Sequence, residues 1–195
     1  MRILAISGSL RAASTNTTLL KATAALAPEG VSLNVFCGLD DLPHFNPDLD
    51  NGPPHAAVAE FRLQLANAAG VIFSTPEYAH GVPGTLKNAL DWVVASGKLY
   101  EKPVALFSAS PRAAYAQASL VETLTVMSAR IVPEACIVAP LLGKNLHLPE
   151  ILAQPDLSRA IRSALKAFAR AASMHGEQKF VYALESEQRI RHERY

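Results

Sequence analysis

Cysteine is scarce in this sequence. Cys37 and Cys136 are the only two cysteines among 195 residues, and they lie 99 positions apart. Two such distant thiols cannot build the disulfide framework of a small secreted protein, and they lack the close ligand spacing of a zinc ribbon. The six histidines show no paired spacing either, so we predict no metal site. This pattern is typical of a protein that folds in the reducing cytoplasm.

An excess of charge of one sign is also missing, because 18 Lys and Arg residues against 17 Asp and Glu residues leave a formal net charge of +1. Such a balance favours neither nucleic-acid binding nor attachment to a membrane surface. No uninterrupted apolar run approaches the ~18 residues that a membrane-spanning helix needs. The apolar run at the start is soon interrupted by Gly8 and Arg11, which indicates a strand rather than a signal peptide. We therefore expect a soluble, cytoplasmic protein without membrane insertion.

Short apolar runs alternate along the chain with longer segments of helical periodicity. The predicted strands are Arg2–Ser7, Val31–Phe36, Val71–Ser74, Val104–Ser108 and a stretch within Ile131–Ala139. The predicted helices lie near Asn16–Ala27, Ala56–Ala69, Thr85–Val94, Ala116–Met127 and Leu157–Met174. Three of the strands are apolar without alternation, as is usual when both faces of a parallel sheet are buried. We predict an α/β flavodoxin-like three-layer sandwich with a five-stranded parallel sheet in the order 2-1-3-4-5.

The length of 195 residues predicts a single compact domain. We place this domain at residues 1–174 and treat residues 175–195 as a C-terminal extension, because a dense mixed-charge run there follows a short apolar patch. Two interpretations of the extension stay open: it packs on a neighbouring subunit, or it forms a partly disordered end. The longest irregular segment, residues 37–55, is of a length usually found in functional or mobile loops.

A loop rich in hydroxyl and amide groups follows the first predicted strand and precedes the first predicted helix. Its polar residues are Ser9, Arg11, Ser14, Thr15, Asn16 and Thr17. The N-terminus of a helix presents unpaired N–H groups and a partial positive charge, and Arg11 adds a forked cation. Either Ser14 or Asn16 alone is explained as a helix cap. Five short polar residues with an arginine exceed what capping requires, so the loop predicts an anion site.

The residues that this loop lacks restrict the identity of the anion. It contains no Gly-Lys-Ser/Thr sequence, which excludes a nucleoside-triphosphate P-loop. It has one glycine rather than the three of a dinucleotide-binding fingerprint, and no cysteine for a thiolate phosphatase. A monophosphate bound without a metal is the anion that remains, and the phosphate of FMN suits this description.

Two further loops follow the third and fourth predicted strands, and in the order 2-1-3-4-5 all three loops meet at one edge of the sheet. The second loop contains Pro76, Glu77, Tyr78 and Gly81, and the third contains Ser110. Tyr78 offers an aromatic face to a planar ring. A packing role for Tyr78 and a helix-end charge for Glu77 remain alternatives. The convergence of the loops predicts a binding pocket.

Two motifs resemble those of the NADPH-dependent FMN reductases, a family that includes quinone, azo-dye and chromate reductases. The first motif is Gly8-Ser9-Leu10-Arg11 with Ser14 and Asn16, and the second is Thr75-Pro76-Glu77-Tyr78 followed by Gly81-Val82-Pro83-Gly84-Thr85-Leu86-Lys87-Asn88-Ala89-Leu90-Asp91-Trp92. The resemblance covers roughly residues 2–172. It implies a flavodoxin-like fold, non-covalent FMN, and NADPH or NADH as the electron donor.

The resemblance also implies a set of FMN-binding residues. These are Ser9, Arg11, Ser14, Asn16 and Thr17 for the phosphate, with Thr15 beside them, and Pro76, Glu77, Tyr78, Ala79, Gly81 and Ser110 for the ring. The acceptor would be a small molecule such as a quinone, an azo compound, free flavin or a metal oxyanion. Because the flavin carries the chemistry, we expect no side chain to act as an essential acid or base.

The chain departs from the family pattern in two segments. Ala79-His80 stands where the family commonly has Asn, and residues 111–116 replace a typically glycine-rich loop. Fewer glycines restrict the backbone of this third loop. Arg112 and Tyr115 are expected to add bulk beside the ring edge. We still predict that the chain binds FMN. The departures affect instead which electron donor and which acceptor the site takes.

Two other functions stay open: a flavodoxin-like electron carrier, and a flavin-binding module without turnover of its own. Electron carriers usually present an acidic face, which the net charge of +1 does not favour. Trp92 lies off the apolar stripe formed by Leu86, Leu90 and Val93, so we expect it at a subunit interface. With the resemblance, this predicts a homodimer or homotetramer in which Thr85–Val94 lies at or near the contact.

Overall fold

A computed structural model describes residues 1–141, 143 and 146–192, with the side chains of the last helix described through residue 176. The strands are β1 (Arg2–Ser7), β2 (Ser32–Phe36), β3 (Gly70–Ser74), β4 (Pro103–Ser108), β5 (Arg130–Ile131) and β6 (Ile137–Val138). The helices are α1 (Thr15–Ala25), α2 (Ala56–Asn67), α3 (Gly84–Val94), α4 (Ala114–Val126), α5 (Leu148–Leu152) and α6 (Pro155–His192). The sheet is parallel in the order β2-β1-β3-β4-β5, which confirms the predicted fold class and strand order.

Both faces of the sheet are covered by helices. Residues of β1, β3 and β4 alternate between two apolar cores, which explains why these strands show no alternation of apolar and polar residues. On one face they pack with α2, α3 and α4, and on the other with α1, α5 and α6. No helix in the described part of the chain is both long enough and apolar enough to cross a membrane.

The register of the parallel strands places three loops at one edge of the sheet. Ser7, the last residue of β1, lies opposite Ser74, the last residue of β3, and β4 pairs alongside β3. Gly8 donates its backbone N–H to the carbonyl of Ser74 at 2.9 Å, which joins the first and second loops where they leave the sheet. The carboxyl ends of β1, β3 and β4 therefore form one common edge.

The predicted fifth strand is divided into two short strands. Ile131 in β5 pairs with Val104, and Ile137 in β6 pairs with Phe107, so both strands lie along β4. The chain advances six residues between these pairs while β4 advances three, and the extra residues form the 3-10 turn Pro133–Ala135. Proline has no N–H for a strand ladder, so a continuous strand across this segment is disfavoured.

The last helix is longer than the predicted Leu157–Met174, since it runs from Pro155 to His192. Its described inner side is apolar at helical spacing, with Ile161, Leu165 and Phe168 all buried. The helix does not end at residue 174, and the proposed division of the chain there remains a prediction. The five-residue helix α5 was not predicted, because it is too short to show a periodic pattern.

The expectation that Trp92 lies at a subunit interface is wrong. Its side chain is 1% exposed within the single chain. The indole Nε1–H donates to the carbonyl of Pro43 at 2.7 Å, and the ring meets the Phe45 ring edge-on with centroids 5.1 Å apart. Trp92 lies off the apolar stripe of α3 because it faces the irregular segment 37–55, which has no helical pattern to reveal it.

Polar side chains anchor the same irregular segment. Arg62 on α2 forms two hydrogen bonds to Asp50, at 2.7 and 2.8 Å, and also donates to the carbonyl of Trp92. The hydrogen bond from Arg62 holds the pKa of Asp50 below its ordinary value. Asn88 donates to the carbonyl of Pro43 at 3.0 Å and accepts from the Phe45 N–H at 2.7 Å. These contacts explain why α3 carries Asn88 and Trp92 beside each other on one side.

Candidate functional site

The three loops at the carboxyl edge of the sheet enclose a cleft of about 390 Å³. Cofactor and small-molecule sites usually have volumes of roughly 300–1,000 Å³, so the cleft is large enough for such a ligand. Nine of the twelve residues predicted to bind the cofactor line it: Ser9, Arg11, Ser14, Thr15, Asn16, Pro76, Glu77, Tyr78 and Ser110. The fold therefore brings together residues from three distant parts of the sequence, as the strand order predicted.

The first loop is shaped by hydrogen bonds to its own serine side chains. The Oγ of Ser9 accepts the N–H of Arg11 at 3.3 Å, and the Oγ of Ser14 accepts the N–H of Thr17 at 3.3 Å. Ser14 is thus the N-cap of α1, which is the helix-cap role that the sequence analysis kept open for this residue. A hydroxyl that accepts from the backbone still has its own proton to donate, so both serines can also face an anion.

The strongest donors of the first loop have no partner among the described residues that would compete with a ligand. Asn16 is nearly buried, and its Oδ1 accepts from Ser74 Oγ at 3.0 Å, which leaves the Nδ2 of Asn16 as a donor toward the cleft. The guanidinium of Arg11 forms no ion pair within the described part of the chain. A guanidinium, an amide nitrogen and hydroxyls beside the N-terminus of α1 form a donor set that fits a phosphate.

Thr17, Ala79 and Gly81 were predicted as binding residues but do not line the cleft. Thr17 Oγ1 lies 2.7 Å from Ser7 Oγ, and it borders a neighbouring cavity of about 190 Å³. Ala79 is the first central residue of a tight turn, which Gly81 closes by exchanging two 3.0 Å backbone hydrogen bonds with Tyr78. Thr17 shares its cavity with Ser9 and Arg11. The assignment of Thr17, Ala79 and Gly81 to cofactor binding remains a prediction.

The turn in the second loop has an unusual backbone for its sequence. Ala79 has φ of 47° and His80 has φ of 60°, so both central residues are left-handed, as in a type I′ turn. Asn and Gly are the residues that adopt this conformation easily, whereas Ala does so at a cost in strain. The prolines and glycines around this segment indicate a turn, but the residue types at positions 79 and 80 do not indicate this turn type.

Glu77 connects the second loop to the start of α4. Its Oε2 accepts the N–H of Ala116 at 2.9 Å, while the N-cap residue, Ala113, makes no capping hydrogen bond from its own side chain. A carboxylate stabilises the N-terminus of a helix, so Glu77 replaces the missing cap. Glu77 therefore has the helix-end role that the sequence analysis kept as an alternative. Its hydrogen bond also fixes the third loop against the second.

A ring contact joins the two segments in which the chain departs from the family pattern. The imidazole of His80 stacks on the ring of Tyr115, with centroids 4.2 Å apart and an angle of 18° between the planes. Arg112, three positions before Tyr115, lines the cleft itself. The other lining residues outside the predicted set are Thr75, Ala13, Ala109 and Ala113. The three alanines carry no functional group, so no sequence signal marks them.

A parallel sheet in the order 2-1-3-4-5 with a phosphate-compatible cleft at its carboxyl edge defines a flavodoxin-like protein. More specifically, the chain belongs to the NADPH-dependent FMN reductase family, whose model matches residues 1–141. It is 44% identical over 92 residues to a 2-hydroxy-1,4-benzoquinone reductase of Burkholderia sp, which covers 47% of this chain and 49% of that protein. The chain spans about half the length of the curated relatives that it matches.

Two further comparisons agree with the family. An NAD(P)H-dependent FMN reductase of Pseudomonas aeruginosa is 37% identical over 114 residues, 56% of this chain and 60% of that protein. Among solved structures, the flavoenzyme NAD(P)H:(acceptor) oxidoreductase FerB of Paracoccus denitrificans has a TM-score of 0.70 at 26% identity. That similarity covers 89% of this chain and 98% of FerB, so it includes the helices beyond the two motifs.

Proposed function

We propose that the cleft binds FMN without a covalent bond and that the chain is an NAD(P)H-dependent oxidoreductase for small acceptors. The observation that carries this proposal is the donor set of the first loop, which faces the same cleft as the exposed ring of Tyr78. When bound, FMN supplies the redox chemistry, accepting a hydride from NADPH or NADH and passing two electrons to an acceptor such as a quinone. The chain has to bind and orient these partners.

The first loop would hold the phosphate of FMN. Arg11 would pair with the phosphate through its fork, and Asn16 would donate from its Nδ2. The hydroxyls of Ser9, Ser14 and Thr15 would donate to the remaining oxygens. Because α1 starts at this point, its N-terminal N–H groups add a favourable partial charge.

The second and third loops would hold the flavin ring. Pro76 and Tyr78 line the cleft from the second loop and Ser110 lines it from the third, so a flat ring bound there would meet both loops. Glu77 is the only carboxylate among the described lining residues, and its Oε2 accepts the N–H of Ala116 at the start of α4. The chain therefore holds the ring in place and leaves the transfer of protons to the ligands and water.

Rapid mixing of the FMN-loaded protein with NADPH in the absence of oxygen tests this function. We expect the flavin absorbance to bleach and to recover when a quinone is added, with many turnovers per protein. An electron carrier would recover only on contact with a partner protein, and a flavin-binding module would not bleach with NADPH. Either of these results contradicts the proposed enzyme.

We predict that Gly8→Ala lowers both the stability of the protein and the affinity of the cleft for flavins. A Cβ at Gly8 would lie 2.4 Å from Thr75 Oγ1 and 3.1 Å from Leu86 Cδ2, so the first two loops would have to separate. Such overpacking costs about 1–3 kcal/mol of the free energy of unfolding, which denaturant titration measures. FMN and riboflavin should both bind more weakly. In the control Gly84→Ala, the Cβ meets nothing within 4 Å, so stability should not fall. Normal stability of Gly8→Ala contradicts the close approach.

We further propose that the chain forms a homodimer or homotetramer through α3 and α4. The helix α4 has one charged residue, Glu122, and its outward side exposes Val121 and Val126, while Val94 is exposed at the end of α3. Buried against a second copy, these valines would leave water. Sedimentation at micromolar concentration should show at least a dimer. A single species at the 20.9 kDa of one chain contradicts this proposal.

We place the protein in the cytoplasm and assign FMN binding to residues 1–174. Both cysteines are free, and burial raises the pKa of the Cys136 thiol, which keeps that thiol protonated and unreactive. The assignment of FMN binding to residues 1–174 is supported by the cleft, because every described residue that lines it precedes residue 114. We propose that the extension 175–195 takes no part in FMN binding.

A further inference from the structure

A second arginine lies in the cleft at a distance along the chain from the first. Arg11 belongs to the loop after β1, whereas Arg112 belongs to the loop after β4, and both line the same cleft. Arg112 is exposed, and its guanidinium forms neither an ion pair nor a hydrogen bond with any described residue. The phosphate of FMN needs one of these cations, which leaves the charge of Arg112 without an assigned role.

The backbone of Arg112 is held in place by contacts on both sides. Its N–H donates to Ser110 Oγ at 3.1 Å, and Ser108 Oγ donates to the carbonyl of Ser110 at 2.7 Å. Just after Arg112, the start of α4 is fixed by the hydrogen bond from Ala116 to Glu77. A cation on a rigid segment loses less conformational freedom when it binds an anion than one on a free loop.

The stack of His80 on Tyr115 joins the loop of Tyr78 to the helix that follows Arg112, although neither stacked ring lines the cleft. His80 follows the cleft residue Tyr78 by two positions, and Tyr115 follows Arg112 by three. A further aromatic ring, that of Tyr78, is itself 56% exposed in the cleft. The exposed ring of Tyr78 and the forked guanidinium of Arg112, which line the same cleft, suit a ligand that is planar and carries a negative charge.

We propose that Arg112 selects the electron acceptor, favouring planar quinones that carry a negative charge over neutral ones. This inference rests on the proposed function, because it concerns the acceptor of that reaction. Arg112 lines the cleft together with Ser110 and Tyr78, the residues assigned to the flavin ring, and the reacting ring of an acceptor must lie beside that ring. The phosphates of NADPH are separated from its reacting ring by a ribose, so the charge at this place fits the acceptor better than the donor.

The test compares naphthoquinone with naphthoquinone sulfonate in steady-state assays with NADPH, using the parent protein, Arg112→Gln and Arg112→Lys. The measured quantity is the ratio of kcat/KM for the anionic quinone to that for the neutral one. An exposed charge contributes modestly, so we expect Arg112→Gln to lower this ratio about three- to fivefold. Arg112→Lys should keep most of the parent ratio, because lysine retains the positive charge. The remaining loss reflects the missing forked guanidinium. Added salt should lower the parent ratio toward that of Arg112→Gln.

Arg170→Gln is the matched control, since Arg170 is exposed on α6 and does not line the cleft. Its ratio should equal that of the parent. A ratio unchanged in Arg112→Gln overturns the inference while leaving the proposed function standing. A lower kcat/KM for NADPH with an unchanged acceptor ratio overturns it too, and assigns the anion to the donor. If the parent reduces neither quinone, the proposed function fails, and acceptor selection fails with it.

Discussion

Replacing Arg11 with alanine should weaken FMN binding about ten- to a hundredfold, the largest effect on affinity that we expect from a single residue. Arg11 supplies the only formal positive charge of the first loop, and a hydrogen bond to a charged group contributes ~1.5–3 kcal/mol. The free energy of unfolding without FMN should hardly change, because the Arg11 side chain is exposed and forms no ion pair within the described residues. Titration of the flavin-free protein with FMN measures the loss.

Riboflavin provides the decisive control for Arg11. It lacks the phosphate, so its affinity should be the same in Arg11→Ala as in the parent protein. Arg11→Lys should recover part of the FMN affinity, since lysine keeps the charge but cannot form two parallel hydrogen bonds. Equal weakening of riboflavin and FMN, or no weakening of either, would show that Arg11 is not a phosphate ligand.

Replacing Trp92 with alanine should lower the free energy of unfolding by about 3–5 kcal/mol, the largest effect on stability that we expect. The substitution removes a ring that is 1% exposed, its contact with Phe45 and its hydrogen bond to Pro43. Residues 37–55 would keep their hydrogen bonds to Asn88 on α3 but lose the ring that packs against Phe45. Denaturant unfolding followed by circular dichroism measures the change.

Protein concentration separates this account of Trp92 from a role at a subunit interface. Because the contacts of Trp92 lie within one chain, Trp92→Ala should lower the free energy of unfolding by the same amount at low and high protein concentration. The control Tyr100→Ala removes an aromatic ring that is 62% exposed, and it should change stability little. A cost for Trp92→Ala that disappears at low concentration would favour the interface instead.

The fold could be predicted because its signals are local. Apolar strands without alternation, such as Val71–Ser74, indicate burial on both faces, and the repeated change between strand and helix periodicity specifies a parallel sheet. Element ends were displaced by a few residues, since caps and the last helical turn depend on tertiary contacts. The fifth strand divided at Pro133, a residue whose missing N–H already disfavoured a continuous ladder.

The arrangement of the site could be predicted to the level of loops but not of contacts. Hydroxyl, amide and arginine side chains after β1 indicate an anion site, and strand order alone then places the other two loops beside it. The stack of His80 on Tyr115 and the hydrogen bond from Ala116 to Glu77 join residues more than thirty positions apart. Neither contact has a periodic pattern, and Trp92 was misplaced for the same reason.

The flavin content of the purified protein tests most directly whether the cleft between the three loops is an FMN site. We expect a yellow protein with one FMN for each chain. The FMN should be released on denaturation, because the described residues that line the cleft include no cysteine or histidine to form a covalent bond to the ring. Flavin-free protein should take up added FMN and regain its colour. A colourless protein that takes up no added FMN would contradict the account.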